Sequence, residues 1–156
     1  MSEFRPVEGS FDAGDATFGI VVARWNGDIT EGLLEGALRA FKRHGVNEDR
    51  LTVVRVPGAF ELPLAAQKMA RLNKFDAIVT LGCVIRGGTP HFEYVCSETT
   101  RGVGEVALNE NLPVAFGLLT TDDLKQAQDR SGDNEENKGE EAALTVLELV
   151  SLYKQL

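Results

Sequence analysis

Hydrophobic positions along the chain follow two alternating periods. Short runs rich in Val, Ile and Leu are typical of strands buried on both faces, and the longer segments between them carry apolar residues every three or four positions, as helices do. The runs predicted to be strands span residues 17–24, 51–57, 76–85 and 113–120. Because strands alternate with helices, the pattern predicts an α/β fold, a three-layer αβα sandwich around a four-stranded parallel sheet with flavodoxin-like topology.

Apolar stripes and stop signals place the helices. After the first strand, apolar positions repeat through Leu33, Ala37 and Phe41, and Gly45 provides a stop at the C-terminal end. His44 stands beside that stop, where a structural role at the surface is expected. Two further stripes predict a helix in the third crossover and one at the C-terminus; they comprise Phe92, Val95, Thr99, Val103 and Val106, and Ala143, Val146, Val150 and Tyr153.

Length and charge limit the classes of protein that fit. The chain has 156 residues with neither a linker nor a repeat, so residues 1–156 are predicted to form one domain with a polar N-terminal arm at about 1–16. No run approaches the roughly 18 apolar residues of a membrane span and no secretory signal is visible, so a soluble, cytoplasmic protein is expected. A net charge of −8 disfavours nucleic acids and anionic membranes as partners. No metal site is predicted, and Cys83 and Cys96, which form no CxxC pair, are expected to be free thiols.

The residues that follow the strands are the candidates for binding, because ligands of parallel sheets bind beyond the carboxyl ends of the strands. Trp25, the only tryptophan, and Phe60 offer flat apolar faces for a planar ring, although core packing would explain either one. Glu61 follows at a helix start, where its carboxylate could interact with the helix dipole or accept hydroxyl groups from a ligand. The residues at the four strand ends are Arg24–Gly27, Pro57–Glu61, Arg86–His91, and Phe116 with Thr120–Thr121.

The stretch RGGTPH combines a turn with a titratable side chain. Gly87 and Gly88 permit close approach of the backbone, and the sequence predicts that Thr89 caps a helix whose first position is Pro90. The free N–H groups at such a helix start, with the threonine hydroxyl, suit a phosphate group, and His91 would stand beside them. A capped turn with an incidental histidine would explain the same residues.

The acidic segment near the C-terminus carries two candidate cations. Arg130 and Lys138 flank a turn, and the sequence predicts that Asp133 or Asn134 caps the last helix after it. An acidic protein needs local cations to hold a phosphate, and these two residues could supply them. Ion pairing at the surface would also explain both residues.

Five segments stand in a specific order and spacing: ARWN at 23–26, VPGAFELPLAA at 56–66, LGCVIRGGTPHFEYV at 81–95, PVAFGLLT at 113–120, and Arg130 followed by NKG at 137–139. Together they resemble the lumazine synthase (6,7-dimethyl-8-ribityllumazine synthase) family, from about Thr17 to the C-terminus. The resemblance implies condensation of 5-amino-6-(D-ribitylamino)uracil with 3,4-dihydroxy-2-butanone 4-phosphate, with loss of phosphate and water. It also implies that no metal and no organic cofactor takes part.

For the pyrimidine substrate, the resemblance implies a stacking face and a polar edge. Trp25 would stack on the pyrimidine ring, with Asn26 beside it. The remaining contacts, to the ring edge and the ribityl chain, would come from Ala59, Phe60, Glu61, Cys83, Val84 and Ile85, the last three largely through backbone groups.

For the phosphorylated substrate, the resemblance implies an anion site next to a proton-transfer residue. Gly88 and Thr89 would bind the phosphate together with Arg130, and His91 would transfer protons. In the family, an adjacent subunit contributes some of the site residues. The resemblance implies that these are Phe116, Arg130 and Lys138.

The family resemblance also implies an assembly. Members form homopentamers, which in some cases build icosahedral shells of sixty subunits, and the lack of an insertion between Arg130 and Lys138 favours the shell. Trp25 stands where phenylalanine is common, and Cys83 stands where threonine is frequent. Two other functions remain open at this point: a flavodoxin-like module that binds a flavin, and a shell protein without catalytic activity.

Overall fold

Four parallel strands form one sheet in the computed structural model, which describes residues 3–156. Met1 and Ser2 of the predicted arm lie outside the described residues. The strands are β1 Phe18–Ala23, β2 Leu51–Val56, β3 Ala77–Ile85 and β4 Val114–Thr121. Their order across the sheet is β2-β1-β3-β4, the flavodoxin-like order. The predicted parallel sheet is therefore confirmed, and each strand boundary lies within one residue of the prediction.

Helices cover both faces of this sheet. They are α1 Gly27–Arg43, α2 Leu62–Ala70, α3 His91–Glu110, α4 Leu124–Asp129 and α5 Lys138–Tyr153, with short 3-10 turns at Glu48–Arg50 and Ala59–Glu61. Buried residues of α1 and α5 pack on one face, whereas those of α2 and α3 pack on the other. The three-layer αβα sandwich is confirmed. The short helix α4 was not predicted, because its six residues are too few to show an apolar stripe.

The strands are offset at the carboxyl edge of the sheet. Pairing between β1 and β3 ends at Val22 and Leu81, whereas pairing between β3 and β4 continues to Ile85 and Thr121. The last residues of β3 therefore extend beyond β1. Their backbone on that side faces a space that no neighbouring strand of the described chain fills.

The start of α5 corrects the prediction that Asp133 or Asn134 caps it. The helix begins at Lys138, and its cap is the buried Asn137, whose Oδ1 accepts a hydrogen bond from the Glu140 N–H at 3.0 Å. The Nδ2 atom of Asn137 donates to the carbonyl oxygens of Gly32, at 3.1 Å, and Gly132, at 2.9 Å. Asn137 thus caps α5 and fastens it to α1 with one side chain.

Close approach of α1 and α5 leaves no room for larger side chains at the contact. A methyl group built on Gly139 would overlap the backbone of Leu33, and one built on Gly36 would overlap the Asn137 side chain. Along α5, the apolar stripe is buried as far as Val150, but the predicted inward position of Tyr153 is wrong, since that side chain is exposed. The last turn of α5 runs past the core.

The segment before β1 has no helix or strand from residue 3 to residue 16. It runs along the end of α5, where the Ser10 N–H donates to Ser151 Oγ at 3.0 Å and the Gln155 side chain donates to the Glu8 carbonyl at 2.8 Å. The prediction of one domain with an N-terminal arm stays a prediction. Within residues 3–156, no helix combines the length and apolar character that crossing a membrane requires.

Replacement of Asn137 tests the contact between α1 and α5. Asn137→Ala should lower the free energy of unfolding by about 2–4 kcal/mol, because the helix loses its cap and two buried carbonyl groups lose a donor. Asn137→Asp keeps the capping oxygen but not the donors, so its free energy of unfolding should lie between those of the unaltered chain and Asn137→Ala. Chemical denaturation measures the free energy of unfolding of each variant. Asn47→Ala is the control, since Asn47 is exposed and makes no side-chain cap bond to the described residues; an equal loss in both alanine variants would contradict the interpretation.

Candidate functional site

A cavity of about 730 Å³ lies at the carboxyl ends of β1 and β3. That volume is within the range of small-molecule sites. The lining residues are Trp25, Asn26, Ala59, Phe60, Glu61, Cys83, Val84, Ile85, His91, Tyr94, Val95, Ser97 and Glu98. All except the last four are residues that the sequence analysis selected. We call this space the first cavity.

The turn after β1 holds the edge of the first cavity in place. The Trp25 N–H donates to the Pro57 carbonyl at 2.9 Å, so the backbone of β1 stays beside the segment after β2. Asn26 follows with a positive φ of 59° and directly precedes α1. Its carbonyl accepts from the third and fourth N–H groups of α1, and its Nδ2 donates to the Cys83 carbonyl at 2.9 Å. Asn26 therefore joins the end of β1 to the protruding end of β3.

The two aromatic rings of the first cavity are exposed. Trp25 is 64% exposed and Phe60 is 58% exposed, so the alternative that either ring packs in the core is wrong. A methyl group built on Gly58 would overlap the six-membered ring of Trp25. Gly58 therefore lets the indole lie directly on the backbone that leads to Phe60. Both rings present apolar faces to the same space.

The Glu61 carboxylate binds a backbone N–H group just before the start of α2. Its Oε2 accepts a hydrogen bond from the Gly58 N–H at 3.0 Å, which is one half of a capping arrangement. No second hydrogen bond to this carboxylate comes from residues 3–156. The half-buried Glu61 thus keeps acceptor capacity on the wall of the first cavity.

The protruding end of β3 supplies backbone and a neutral thiol. Burial, with the nearby Cys96 as the smaller cause, raises the pKa of Cys83 to about 11. At neutral pH the Cys83 thiol is therefore protonated and a poor nucleophile. Burial also raises the pKa of Cys96. Both cysteines are free thiols, which confirms the prediction.

The loop before α3 differs from its prediction at the cap. The helix begins at His91, and Pro90 precedes it with helical dihedral angles, φ −66° and ψ −3°. No described side chain caps this end, so the predicted Thr89 cap is wrong, whereas the predicted helix start at Pro90 lies within one residue of the observed one. The rigid Pro90 already has helical geometry, and its carbonyl accepts from the Glu93 N–H at 3.0 Å, so the first turn closes without a side chain. His91 is exposed and lines the first cavity, while Gly88 and Thr89 lie exposed on the adjoining loop.

A second cavity, of about 430 Å³, lies between β4 and α5. Its lining includes Phe116, Arg130 and Lys138, so the structure does not bring these three residues to His91 within one chain. The Lys138 N–H donates to the Arg130 carbonyl at 2.9 Å, which keeps the two side chains close together. Lys138 pairs with Glu141 at 2.8 Å. Arg130 has no carboxylate within 4 Å among residues 3–156.

The family of this chain follows from a comparison with known protein families. A family model for 6,7-dimethyl-8-ribityllumazine synthase matches residues 15–154. The chain belongs to this family. Lumazine synthases are transferases of riboflavin biosynthesis, so the resemblance drawn from the five sequence segments is confirmed at the level of the family.

Four residues of the first cavity were missed as site residues. Tyr94, Val95, Ser97 and Glu98 all lie on α3, and Val95 was assigned only to the inward stripe. For Tyr94, Val95 and Glu98 the available signal was helical spacing, because positions three, four and seven after His91 share its face; Ser97, six positions after His91, does not fit this spacing. Among residues 3–156, no group of three or more His, Cys, Asp or Glu side chains could hold a metal ion.

Replacement of Gly58 tests whether the glycine seats the indole. Gly58→Ala should displace Trp25, change the fluorescence and near-ultraviolet circular dichroism of this only tryptophan, and destabilise the fold by about 1–3 kcal/mol through overpacking. Gly104→Ala is the matched control, since a methyl group there meets nothing within 4 Å. An unchanged tryptophan spectrum in Gly58→Ala would show that the ring does not rest on Gly58.

Proposed function

We propose that the chain condenses 5-amino-6-(D-ribitylamino)uracil with 3,4-dihydroxy-2-butanone 4-phosphate to form 6,7-dimethyl-8-ribityllumazine. Phosphate and water are released, no metal or organic cofactor takes part, and the reaction runs in the cytoplasm. One observation carries the proposal: the first cavity unites two exposed aromatic rings, an open strand edge, a carboxylate and a histidine. Those are the groups that a planar, polyhydroxylated amine and a phosphorylated ketone require.

The pyrimidine would bind between ring faces and the strand edge. Trp25 offers the larger exposed face, and Phe60 offers the second. The backbone of Cys83–Ile85, which extends beyond β1, offers hydrogen bonds to the uracil edge, where no neighbouring strand competes for them. Glu61 has acceptor capacity for ribityl hydroxyl groups.

The phosphate would bind on the loop of Gly88 and Thr89. This loop leads into the 20-residue helix α3, whose first N–H groups favour an anion. The chain carries a net charge of −8, so the site needs a cation. Arg130 is the suited residue, since its guanidinium donates only to the Gln126 carbonyl, at 2.9 Å, among residues 3–156.

An adjacent copy of the chain would complete the site. Arg130 lies with Phe116 and Lys138 in the second cavity, whereas His91 lines the first, so the cation would come from an adjacent copy. The family resemblance favours the same arrangement, in homopentamers and, for some members, in icosahedral shells of sixty subunits. Each copy would then give its first cavity to one site and its second cavity to another.

The chemistry needs positioning and proton transfer. The 5-amino group attacks the ketone and forms an imine with loss of one water, phosphate leaves, and ring closure by the ribitylamino nitrogen releases a second water. His91 is suited to carry protons in these steps, with a rate effect of about 10²- to 10⁴-fold. Holding both substrates in reacting geometry contributes more, roughly 7–11 kcal/mol.

One experiment tests the proposed function and its main alternatives. The purified chain is incubated with both substrates, and its native mass is measured in the same buffer. We expect lumazine absorbance to rise together with released phosphate, in a particle of five subunits or a multiple of five. A chain that binds flavin without turnover would favour a flavin-binding module. A shell-sized particle without turnover would favour a shell protein that has lost activity.

The two histidines offer a matched test of proton transfer. His91→Ala should lower kcat by about 10²- to 10⁴-fold without abolishing turnover, because substrate positioning remains. His44→Ala should leave kcat unchanged, since the His44 ring packs against Phe11, with ring centroids 5.1 Å apart, at the end of α1. Turnover is followed by product absorbance. If His91→Ala and His44→Ala turn over at the same rate, proton transfer by His91 is wrong.

A further inference from the structure

Arg86 holds two carboxylates at the point where β3 ends. Its Nε donates to Asp122 Oδ1 at 3.0 Å, and its Nη1 donates to Glu93 Oε1. Its guanidinium carbon lies 4.4 Å from the centroid of the Phe92 ring. The Arg86 N–H also donates to the Thr121 carbonyl, at 2.8 Å. The planar fork of an arginine can hold two partners in fixed directions in this way.

One arm of the fork reaches the loop that carries the proposed phosphate site. Glu93 lies in the first turn of α3, two residues after His91, and the intervening Phe92 is buried. No described side chain caps this end of α3. The Arg86 side chain thus contacts the first turn of α3 through the ion pair with Glu93 and through the Phe92 ring.

The other arm reaches Arg130 through two further contacts. The Asp122 N–H donates to Gln126 Oε1 at 2.8 Å, and the Gln126 carbonyl accepts from Arg130 Nη1 at 2.9 Å. Arg86, Asp122, Gln126 and Arg130 thus form a continuous polar chain. It begins at the loop of the first cavity and ends at the cation of the second cavity.

The exposure of these groups argues against a role in stability. The side chains of Arg86, Glu93 and Asp122 are 45%, 60% and 65% exposed, and ion pairs with such exposure contribute little to folding. Direct binding of substrate by Arg86 is also disfavoured, because two carboxylates already occupy its fork. The remaining role for Arg86 is geometric, because its guanidinium orients the Glu93 and Asp122 carboxylates.

We propose that Arg86 is a positioning residue for both parts of the phosphate site. Through Glu93 and Phe92 it sets the loop that carries Gly88, Thr89 and His91; through Asp122 and Gln126 it sets the guanidinium of Arg130. The inference rests on the proposed function. Because Arg130 would serve the adjacent copy, a single Arg86 would act on two active sites.

Steady-state kinetics test the positioning. Arg86→Met should raise KM for the butanone phosphate about tenfold or more and leave KM for the pyrimidine near that of the unaltered chain, since a displacement of about 1 Å can cost up to a hundredfold. Arg86→Lys keeps the charge but loses the planar guanidinium, so it should reverse less than half of the increase in log KM. Full restoration by lysine would overturn the inference, because charge alone would then suffice.

A matched ion pair separates positioning from stability. Arg55 pairs with Glu31, both side chains are 46% exposed, and Arg55 lines neither cavity. Arg55→Met and Arg86→Met should have similar Tm values, native masses and far-ultraviolet circular dichroism, and only Arg86→Met should change KM. Equal kinetics in the two variants would overturn this inference while leaving the proposed function intact. Absence of turnover in the unaltered chain would instead overturn the proposed function.

Mixed oligomers test whether Arg86 acts on two sites. Co-expression of Glu93→Ala with Arg130→Ala should restore activity, since some sites then combine an intact loop from one copy with an intact Arg130 from the other. Co-expression of Arg86→Met with Arg130→Ala should restore none, because the Arg86 variant supplies a misplaced Arg130. If the mixture with Arg86→Met recovers activity, Arg86 positions only the loop of its own copy and not Arg130. If the mixture with Glu93→Ala recovers none, the copies do not share active sites. Either result would overturn the inference.

Discussion

The offset between β1 and β3 at the carboxyl edge is the constraint on which the rest of the site depends. Pairing with β1 ends at Leu81, but pairing with β4 carries β3 on to Ile85, so the strand projects with one side open. An open backbone edge needs partners, and Asn26 supplies one through its bond to the Cys83 carbonyl. The remaining edge faces the first cavity. Directly after this projection, the Arg86 N–H donates to the Thr121 carbonyl of β4.

Three of the described arginines, Arg130 among them, have no carboxylate within 4 Å. Most of the arginines described, including Arg43, Arg71 and Arg101, have a Glu or Asp within 4 Å, as expected in a chain with a net charge of −8. Arg130 instead donates to a carbonyl group and keeps its guanidinium open to the second cavity. An ion pair with a carboxylate would neutralise the Arg130 charge and weaken its attraction for an anion. The carbonyl orients the guanidinium and leaves its charge available to an anion.

The sequence predicted the sheet well because strands buried on both faces are continuous apolar runs, and the ends of parallel strands meet at one edge. It failed where a distant contact decides the local structure. Asn137 rather than Asp133 or Asn134 caps α5, because its amide also binds the Gly32 carbonyl, 105 residues away. Composition could not place Trp25 and Phe60 outside the core, nor show that the indole lies on Gly58. The strand offset is likewise a matter of register, which strand length alone does not specify.

Under the proposed function, the separation of the two cavities would favour assembly of several copies. The first cavity has rings, backbone and a histidine but no arginine or lysine in its lining, and the lining of the second has Arg130 and Lys138 but no histidine. Under the proposed function, a lone chain could stack a pyrimidine but would hold a phosphate only through loop N–H groups. Contact between copies would add the charge-assisted bonds, which are about twice as strong as neutral ones. The second substrate would then favour the assembled form by mass action, because it binds that form more tightly than the separate chains.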